Sequence, residues 1–154
     1  MKRHGIILFL LLAFSTPAVA QDLAGFWSCA GSGPGVIEGK RVDMKVSSRM
    51  EFSPNGSYSE RGRMASGGQD ITASGNGRWF QNGNVVSTTI NNINIEKLIV
   101  NGEEVPALAA NLLALGLFPA DGETTTYVVE KAGWFSSDIT LSNPELPTLT
   151  CSKS

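Results

Sequence analysis

The residue types that most often perform chemistry are scarce in this chain of 154 residues. It contains one histidine, His4, and two cysteines, Cys29 and Cys151. His4 lies in an N-terminal segment that we expect to be removed, so the mature chain would have no imidazole for acid–base catalysis or for binding zinc or copper. The carboxylates are dispersed and show no calcium-loop spacing. We therefore predict no catalytic residues, no metal site and no cofactor, and we expect that the chain is not an enzyme.

The N-terminal segment has the three parts of a secretory signal peptide. A positive start is followed by an apolar run over residues 5–14 and by Ala18-Val19-Ala20, which matches the small-x-small cleavage pattern. The run is shorter than the roughly 20 residues that span a bilayer, which argues against an uncleaved membrane anchor. We predict a Sec-type signal peptide over residues 1–20, with cleavage after Ala20. A single periplasmic or secreted domain would then cover residues 21–154.

The mature chain is expected to be mildly acidic. Loss of Lys2 and Arg3 leaves 10 basic and 14 acidic residues, a net charge of −4. This dispersed negative charge argues against nucleic acid or an anionic membrane surface as a partner, because both attract basic surfaces. The expected partners are a small hydrophobic molecule or an envelope protein, and we expect no membrane span in the mature chain.

The two cysteines lie near opposite ends of the mature chain. An exported chain with an even number of cysteines most simply forms one disulfide, here Cys29–Cys151, and two free thiols are the alternative. Disulfide-linked Cα atoms lie roughly 4.4–6.8 Å apart, so the first strand, near residues 25–29, would lie against the last, near residues 148–151. Joining the first and last strands closes a meander into a barrel and removes its sheet edges.

Period-two alternation and repeated Asn-Gly turns predict strands along most of the chain. Lys40 to Phe52 alternates apolar and polar residues, with Ser48 as the polar exception on the apolar face. A bulge is predicted near Asn91-Asn92. Further strands are predicted over residues 72–80, 85–95, 98–100, 124–130, 137–141 and 149–151, and loops over 31–39, 65–70 and 143–147. The pattern predicts a mainly β protein, an antiparallel up-and-down β-barrel of about eight strands.

The turn after Phe52 determines which side chains enter the barrel. A three-residue loop, Pro54-Asn55-Gly56, places Phe52 opposite Tyr58 and gives proline and glycine their preferred turn positions. A two-residue Asn-Gly loop would instead place arginines inside. With the longer loop Glu60 points inward, opposite Met50, where a carboxyl would have a raised pKa or need a partner. The alternative is a strand twist that brings Glu60 to solvent.

One segment, residues 105–117, breaks the strand pattern. It carries Pro106 in its first turn, a run of strong helix formers and Gly116 near its end, which predicts a short helix before the last strands. The helix is apolar nearly all round apart from Asn111, which is typical of a buried helix. Three roles are considered for it: a lid over one barrel mouth, an ordinary core helix, or an exposed patch that meets a partner.

The predicted ligand site is the barrel interior, where seven side chains converge: Met44, Met50, Phe52, Tyr58, Glu60, Met64 and Trp79. Small eight-stranded barrels are narrow enough for such side chains to fill them, so a packed barrel is the alternative to a cavity. Gly75 and Gly77, close to Trp79, either leave room for a ligand or permit sharp strand curvature. Curvature is the favoured interpretation, since glycine in a strand often marks a tight bend.

Gly25-Phe26-Trp27, at the start of the first predicted strand, resembles the Gly-x-Trp motif of lipocalins and other small calycin-type barrels. The resemblance implies that Trp27 plugs the closed end of the barrel. Lipocalins usually carry an arginine on a late strand that packs over this tryptophan, whereas the last strand here has none and is followed by Lys153. The predicted helix also precedes the last three strands, while the lipocalin helix follows the barrel, so the chain is lipocalin-like.

The preferred functional prediction is an exported binding module that holds a small hydrophobic molecule inside the barrel. The alternative is a periplasmic protein-interaction or inhibitor module with a packed barrel and no small-molecule ligand. In that case the contact surface would be one of the predicted loops, Gly31–Gly39 or Ala65–Asp70, or the apolar helix.

Overall fold

The computed structural model describes residues 22–37, 39–117, 122–133 and 136–154, and for residues 113–117 the description is limited to the helical backbone. The predicted signal peptide, residues 1–20, lies outside these ranges, and its cleavage stays a prediction. In the described part of the chain, no helix has both the length and the apolar character needed to cross a membrane.

The chain forms one closed antiparallel β-barrel. Each strand pairs with the next along the barrel wall, and β9 pairs with β1 to close it. Eight strands form the wall, and a two-residue strand, β6, is added to the end of β5. The elements are β1 (Gly25–Ile37), β2 (Lys40–Phe52), β3 (Ser57–Ser66), β4 (Gln69–Asn82), β5 (Val85–Val100), β6 (Glu103–Glu104), α1 (Ala107–Leu117), β7 (Glu123–Lys131), β8 (Ile139–Asn143) and β9 (Leu146–Lys153). This confirms the predicted fold class, including a helix before the last strands.

The closing contact between β1 and β9 carries the disulfide. Cys29 and Cys151 lie directly opposite each other, with their Cα atoms 4.0 Å apart, and their sulfurs are bonded. The predicted pairing is therefore confirmed, and both cysteines of the chain are used in it. The covalent link joins the first and last strands at the place where the barrel closes.

The β2–β3 hairpin has the predicted three-residue loop and register. Phe52 lies opposite Tyr58 and Met50 lies opposite Glu60. The Gly56 N–H donates to the Ser53 carbonyl over 2.9 Å, and Gly56 has a φ of +83°. Glycine adopts this left-handed conformation without steric cost, and the inward set of side chains on β3 follows from it.

Three predicted loops are wrong, because the chain there continues as strand. β1 runs through residues 31–37 and pairs with β2 as far as Ile37 opposite Lys40. Residues 65–70 belong to the ends of β3 and β4, which a tight turn at Gly67 and Gly68 connects, both with positive φ. Within residues 143–147, only Pro144 and Glu145 lie outside the strands. Small residues in these segments hide the period-two pattern, and pairing with a neighbouring strand satisfies their backbone groups instead.

Strand β5 is longer than predicted and contains two bulges. Asn76 pairs with Asn92 and Gly77 with Ile90, so Asn91 is the extra residue, which confirms the predicted bulge. A second irregularity leaves Glu96 without a partner across the ladder. The predicted short strand over residues 98–100 is the end of β5 beyond this second bulge. Bulges bend a strand, and here they keep β5 on the barrel wall over its full length.

The helix α1 lies against the part of β5 that β7 leaves uncovered. β7 pairs with β5 only over Val85–Ile90, and α1 packs beside the following residues. The prediction that this helix is buried is wrong for one side of it: Leu108 is 76% exposed and Leu112 is 60% exposed. Ala110 is its buried contact, because only one side of the helix faces the barrel.

The interior divides into two parts. The packed half holds a continuous cluster of large side chains around the disulfide, including Trp27, Met50 and Phe52. The cavity half, formed by β2 to β5 and α1, has a much smaller buried cluster of Ile95 and Ala110 with partly buried neighbours. The candidate site lies in the cavity half.

Candidate functional site

A cavity of about 490 Å³ lies between β2, β3, β4, β5 and α1. Its size falls within the range of roughly 300–1,000 Å³ that is usual for small-molecule sites. The apolar side chains that line it are Val46, Met64, Ile71, Ala73, Ile90, Ile93, Ile95, Leu98, Val100 and Ala110. An apolar wall with few polar groups is the composition expected of a site for a hydrophobic ligand.

Two of the seven predicted interior residues, Glu60 and Met64, line this cavity. Four others belong to the packed half and fill it: Met50, Phe52, Tyr58 and Trp79. The rings of Tyr58 and Trp79 have centroids 5.1 and 5.3 Å from the Phe52 ring. Met44 is buried on β2 over Gly35, outside both sets. Inward orientation alone therefore does not place a side chain in the cavity, because the position along the strand also matters.

Glu60 places a carboxyl group in the wall of the cavity. Its register position lies between Met50 on β2 and Gly75 on β4. The buried Tyr58 hydroxyl donates a hydrogen bond of 2.8 Å to Glu60 Oε2. Within the described part of the chain Glu60 forms no salt bridge. It is an acidic group in a mostly apolar site, and the groups that act on it are the neutral hydroxyls of Tyr58 and Ser48.

The surroundings of Glu60 favour the protonated carboxyl. Burial raises the pKa of Glu60, and the hydroxyls of Tyr58 and Ser48 oppose that effect only in part. Burial also raises the pKa of Tyr58, and the nearby Glu60 carboxyl raises it further. The pKa of Tyr127 is raised in the same way, first by burial and then by Glu60. Both tyrosines thus keep their protons, and Tyr58 remains a donor to the carboxyl.

Ser48 is the polar residue that the sequence analysis noted but did not include in the site. It is 6% exposed, lines the cavity, and its Oγ has no hydrogen-bond partner among the described residues. Buried hydroxyl groups without a partner are uncommon and costly, and the Ser48 hydroxyl lies near enough to Glu60 to lower the pKa of that carboxyl. The interruption of the apolar face of β2 by Ser48 was the signal that could have identified it.

A glycine of β3, Gly62, lies close to Ser48 and Glu60. A Cβ on Gly62 would lie 3.3 Å from the Ser48 Cβ and 3.7 Å from Glu60 Oε1. These distances show that β2 and β3 approach closely at Gly62. The polar corner, which we define as Glu60, Ser48 and Gly62, borders the cavity with a carboxyl group and a hydroxyl group.

The glycines of β4 have another role. A Cβ on Gly77 would lie 1.7 Å from the Thr89 carbonyl oxygen, and one on Gly75 would lie 2.8 Å from the Ile90 Cγ2. Neither position is open space, since β5 approaches the strand closely at both. This geometry favours the curvature interpretation, because the close approach occurs beside the bulge at Asn91.

Asn111 attaches the helix to the cavity wall. Its Oδ1 accepts a hydrogen bond of 2.9 Å from the Ile95 N–H, and its Nδ2 donates to the Ile95 carbonyl over 3.1 Å. The side-chain amide thus pairs with both backbone groups of Ile95, as a neighbouring strand would. The single polar residue of an apolar helix holds Ala110 against the cavity.

On the outer side of the cavity wall, arginines pair with carboxylates. Arg61 donates to Glu96, the residue at the second β5 bulge, over 2.6 to 3.0 Å, and Arg63 binds Asp70. These exposed pairs lower the pKa of Glu96 and of Asp70. The guanidinium groups are directed to the outer face, so neither of them neutralises Glu60.

The packed half contains the Gly-x-Trp motif. Trp27 is fully buried, and its Nε1 donates to the Leu23 carbonyl over 2.8 Å. Lys153 Nζ lies 5.5 Å from the centroid of the Trp27 ring. A Cβ on Gly25 would lie 3.0 Å from the Lys153 Cε, so a glycine here allows the lysine to reach the ring. A cation thus covers the tryptophan although the last strand has no arginine.

The described residues contain no group of three or more acidic, histidine or cysteine side chains that could hold a metal ion. The closed eight-stranded antiparallel barrel fits a calycin-like fold. No protein-family model matches the chain, and a search of curated proteins gives no match.

Proposed function

We propose that this protein is an exported binding module that holds a small apolar molecule in the cavity half of the barrel. The observation that carries the proposal is the apolar cavity of about 490 Å³, with the Ser48 hydroxyl in its wall. Packing the barrel solid at this end would have required a larger side chain on β4 than that of Ala73, which lines the cavity.

Two features support export and a lipocalin-like relationship. The disulfide is typical of an oxidising compartment, which agrees with a signal peptide over residues 1–20. The buried Trp27 under Lys153 at the packed end has the position expected of the tryptophan in the Gly-x-Trp motif. Both support a periplasmic or secreted carrier.

The proposal describes binding without catalysis. The chain has one histidine, which lies in the predicted signal peptide, and both cysteines form the disulfide. The Tyr58 hydroxyl that donates to Glu60 has a raised pKa and keeps its proton, and Glu60 is the one carboxyl group among the described residues that line the cavity. These observations support a site that orients a ligand.

The test is binding of a neutral apolar fluorophore, N-phenylnaphthylamine, followed by its emission in the purified protein. We expect saturable binding to the wild type. Ala73→Phe places a large ring in the cavity and should weaken binding by about tenfold or more, a loss of about 1.4 kcal/mol. Native mass spectrometry of the same preparation would show any molecule that copurifies.

Thr72→Phe is the matched control, because Thr72 neighbours Ala73 on β4 and, unlike Ala73, does not line the cavity. It adds the same ring without filling the cavity and should leave binding unchanged. Equal binding to wild type and Ala73→Phe would show that the fluorophore does not occupy the cavity, and the proposal would be wrong.

A protein-interaction role is the second candidate function, and one observation favours it. Phe80 is 70% exposed on β4, and Val85 and Val128 extend this apolar surface across β5 and β7. This patch is separate from the contact surfaces expected from the sequence, of which two are strands in the structure. Phe80→Ser should abolish capture of an envelope protein if this candidate is right and leave fluorophore binding intact.

A further inference from the structure

The polar corner has a charge pattern that restricts which ligand fits. Titratable groups act on Glu60 from two strands, Tyr58 on β3 and Tyr127 on β7, and both are neutral hydroxyls. No titratable side chain of β4, β5 or the described part of α1 lines the cavity. Arg63, at the cavity rim, binds Asp70 on the outer face. The corner therefore contains one acid and no base.

The hydrogen-bonding capacity of the corner is also unbalanced. Tyr58 donates to Glu60 Oε2, whereas Oε1 lies on the side of Gly62, and Glu60 and Gly62 both line the cavity. Ser48 lines the cavity beside Glu60, and its hydroxyl forms no hydrogen bond of normal geometry among the described residues. Carboxylate and hydroxyl oxygens both accept hydrogen bonds, so a ligand group with several donors would satisfy them together.

We infer that the cavity binds an apolar molecule that carries one protonated amine, with the ammonium group between Glu60 Oε1 and Ser48 Oγ. This inference rests on the proposed function and specifies its ligand class. An ammonium group has three donors and a positive charge, and it would supply the cation that Glu60 lacks. The remainder of the molecule would lie against the apolar walls of β4 and β5.

An apolar carboxylate is disfavoured by the same geometry. It would place a second negative group beside Glu60 in a site of low polarity, where like charges repel strongly unless one acid takes up a proton. An apolar alcohol can form one hydrogen bond with Ser48 or Glu60 but brings no charge. The three classes thus differ in expected affinity, in the order amine, alcohol, carboxylate.

Three probes with the same hydrocarbon chain test the order: decylamine, decanol and decanoate. Each is titrated against bound N-phenylnaphthylamine at pH 7. We expect decylamine to displace the fluorophore at a concentration about tenfold below that of decanol, since a partly buried charge pair outweighs a neutral hydrogen bond by about that factor. Decanoate should be the weakest competitor.

Glu60→Gln keeps the shape of the side chain and removes its charge. In this variant decylamine and decanol should compete equally, while the fluorophore itself still binds, which shows that the barrel is folded. Ser48→Ala should weaken decylamine by about threefold, the loss of one modest hydrogen bond. Glu130→Gln, on an exposed part of β7, is the matched control and should behave as wild type.

The dependence on pH gives an independent measurement. Burial raises the pKa of Glu60, so the free protein binds a proton there at pH values at which an exposed carboxyl has lost it. Decylamine stays protonated up to about pH 10, and its affinity should rise as pH increases beyond the range in which exposed carboxyls ionise, because Glu60 then loses its proton. The affinity for Glu60→Gln should be flat over the same rise in pH.

The free energy of unfolding of the ligand-free protein should fall with rising pH, whereas the affinity for decylamine should rise. A carboxyl whose pKa is higher in the folded than in the unfolded state lowers the free energy of unfolding as pH rises from the ordinary carboxyl pKa to the folded value. Glu60→Gln should remove this decline, so the two proteins converge at low pH and diverge at neutral pH. Chemical denaturation at several pH values measures it.

The outcomes are distinguishable. If decanoate competes as well as decylamine, or if the amine preference persists in Glu60→Gln, the inference is wrong while the proposed function stands. If N-phenylnaphthylamine does not bind the wild type, the proposed function fails and the inference fails with it.

Discussion

The packed half and the cavity half of this barrel share strands β2 to β5 but use the inward positions of these strands differently. In the packed half, large side chains such as Phe52, Trp27 and Leu149 fill the interior and a disulfide joins the closing strands. In the cavity half, the inward positions of β4 carry Ile71, Ala73 and Gly75, and a helix covers a gap between strands. Large side chains thus fill the packed half, whereas the cavity half encloses unfilled volume.

The difference shows how a small barrel combines stability with a ligand site. Close packing of buried apolar side chains supplies most of the favourable free energy of folding, and a cavity forfeits part of it. Confining the cavity to one half leaves the packed half free to set the stability of the whole barrel. The covalent link lies in the packed half, so the cavity half need only hold its shape.

Removing the disulfide should have the largest effect on stability. The bond closes a loop with a sequence separation of 122 residues, and for a loop of this length the chain-entropy contribution is about 5 kcal/mol. The double variant Cys29→Ala/Cys151→Ala should therefore lose roughly that much free energy of unfolding, measured by urea denaturation.

Reduction of the wild type by dithiothreitol should produce a similar loss, and reductant should not affect the double variant. Without denaturant the double variant should remain folded and still bind N-phenylnaphthylamine, because the ligand site lies in the cavity half and the disulfide lies in the packed half. An unchanged denaturation midpoint would show that barrel closure does not depend on the covalent link.

A matched pair of leucines compares the two halves directly. Leu149 is fully buried in the packed half, whereas Leu98 lines the cavity. Leu149→Ala should cost about 4 kcal/mol and Leu98→Ala about 2 kcal/mol, the upper and lower parts of the usual range, because Leu98 loses fewer packing contacts. Urea denaturation of both variants measures the two costs.

For ligand affinity we expect the opposite order, with the larger effect from Leu98→Ala and the smaller from Leu149→Ala. Leu98→Ala enlarges the cavity and should change the affinity for N-phenylnaphthylamine, while Leu149→Ala should leave it within error of wild type. Equal costs in stability together with equal effects on binding would remove the distinction between the halves.

The strand register of the packed half was accessible from the sequence. Alternation over Lys40–Phe52 and the loop Pro54-Asn55-Gly56 determine which residues of β2 and β3 face inward, and the structure has this register. The end of β1 was missed because glycine and serine there carry no contrast between the two faces. The end of β1 is extended because it pairs with β2, and such a contact between two strands cannot be read from the residues of one strand.

The cavity itself was less accessible. Alternation predicts the direction of a side chain but not its depth along the barrel, and so Met50, Phe52, Tyr58 and Trp79 were expected beside a ligand when they fill the packed half. The more useful signals were polar exceptions in apolar patterns. Ser48 interrupts the apolar face of β2, and Asn111 interrupts the apolar helix, and both have distinct roles in the cavity half.

Breaking the attachment of the helix should have the smallest effect on global stability and a clear local one. Asn111→Leu removes the two hydrogen bonds to Ile95. The expected cost is about 1 kcal/mol, because the exposed side of this region gives water partial access to the freed backbone groups. Exchange of the Ile95 amide hydrogen, measured by NMR, should accelerate by about tenfold.

Faster exchange at Ile95 in Asn111→Leu would show that the helix has lost its attachment to β5 and not its helical structure. Leucine favours helix more than asparagine does, so Asn111→Leu on its own strengthens the helix, and faster exchange at Ile95 must come from loss of the side-chain amide. Leu112→Ala, on an exposed side of the same helix, is the control and should leave Ile95 protected. If Asn111→Leu leaves the exchange rate unchanged, packing of Ala110 is sufficient to hold the helix. The cavity half would then depend on apolar contacts, as the packed half does.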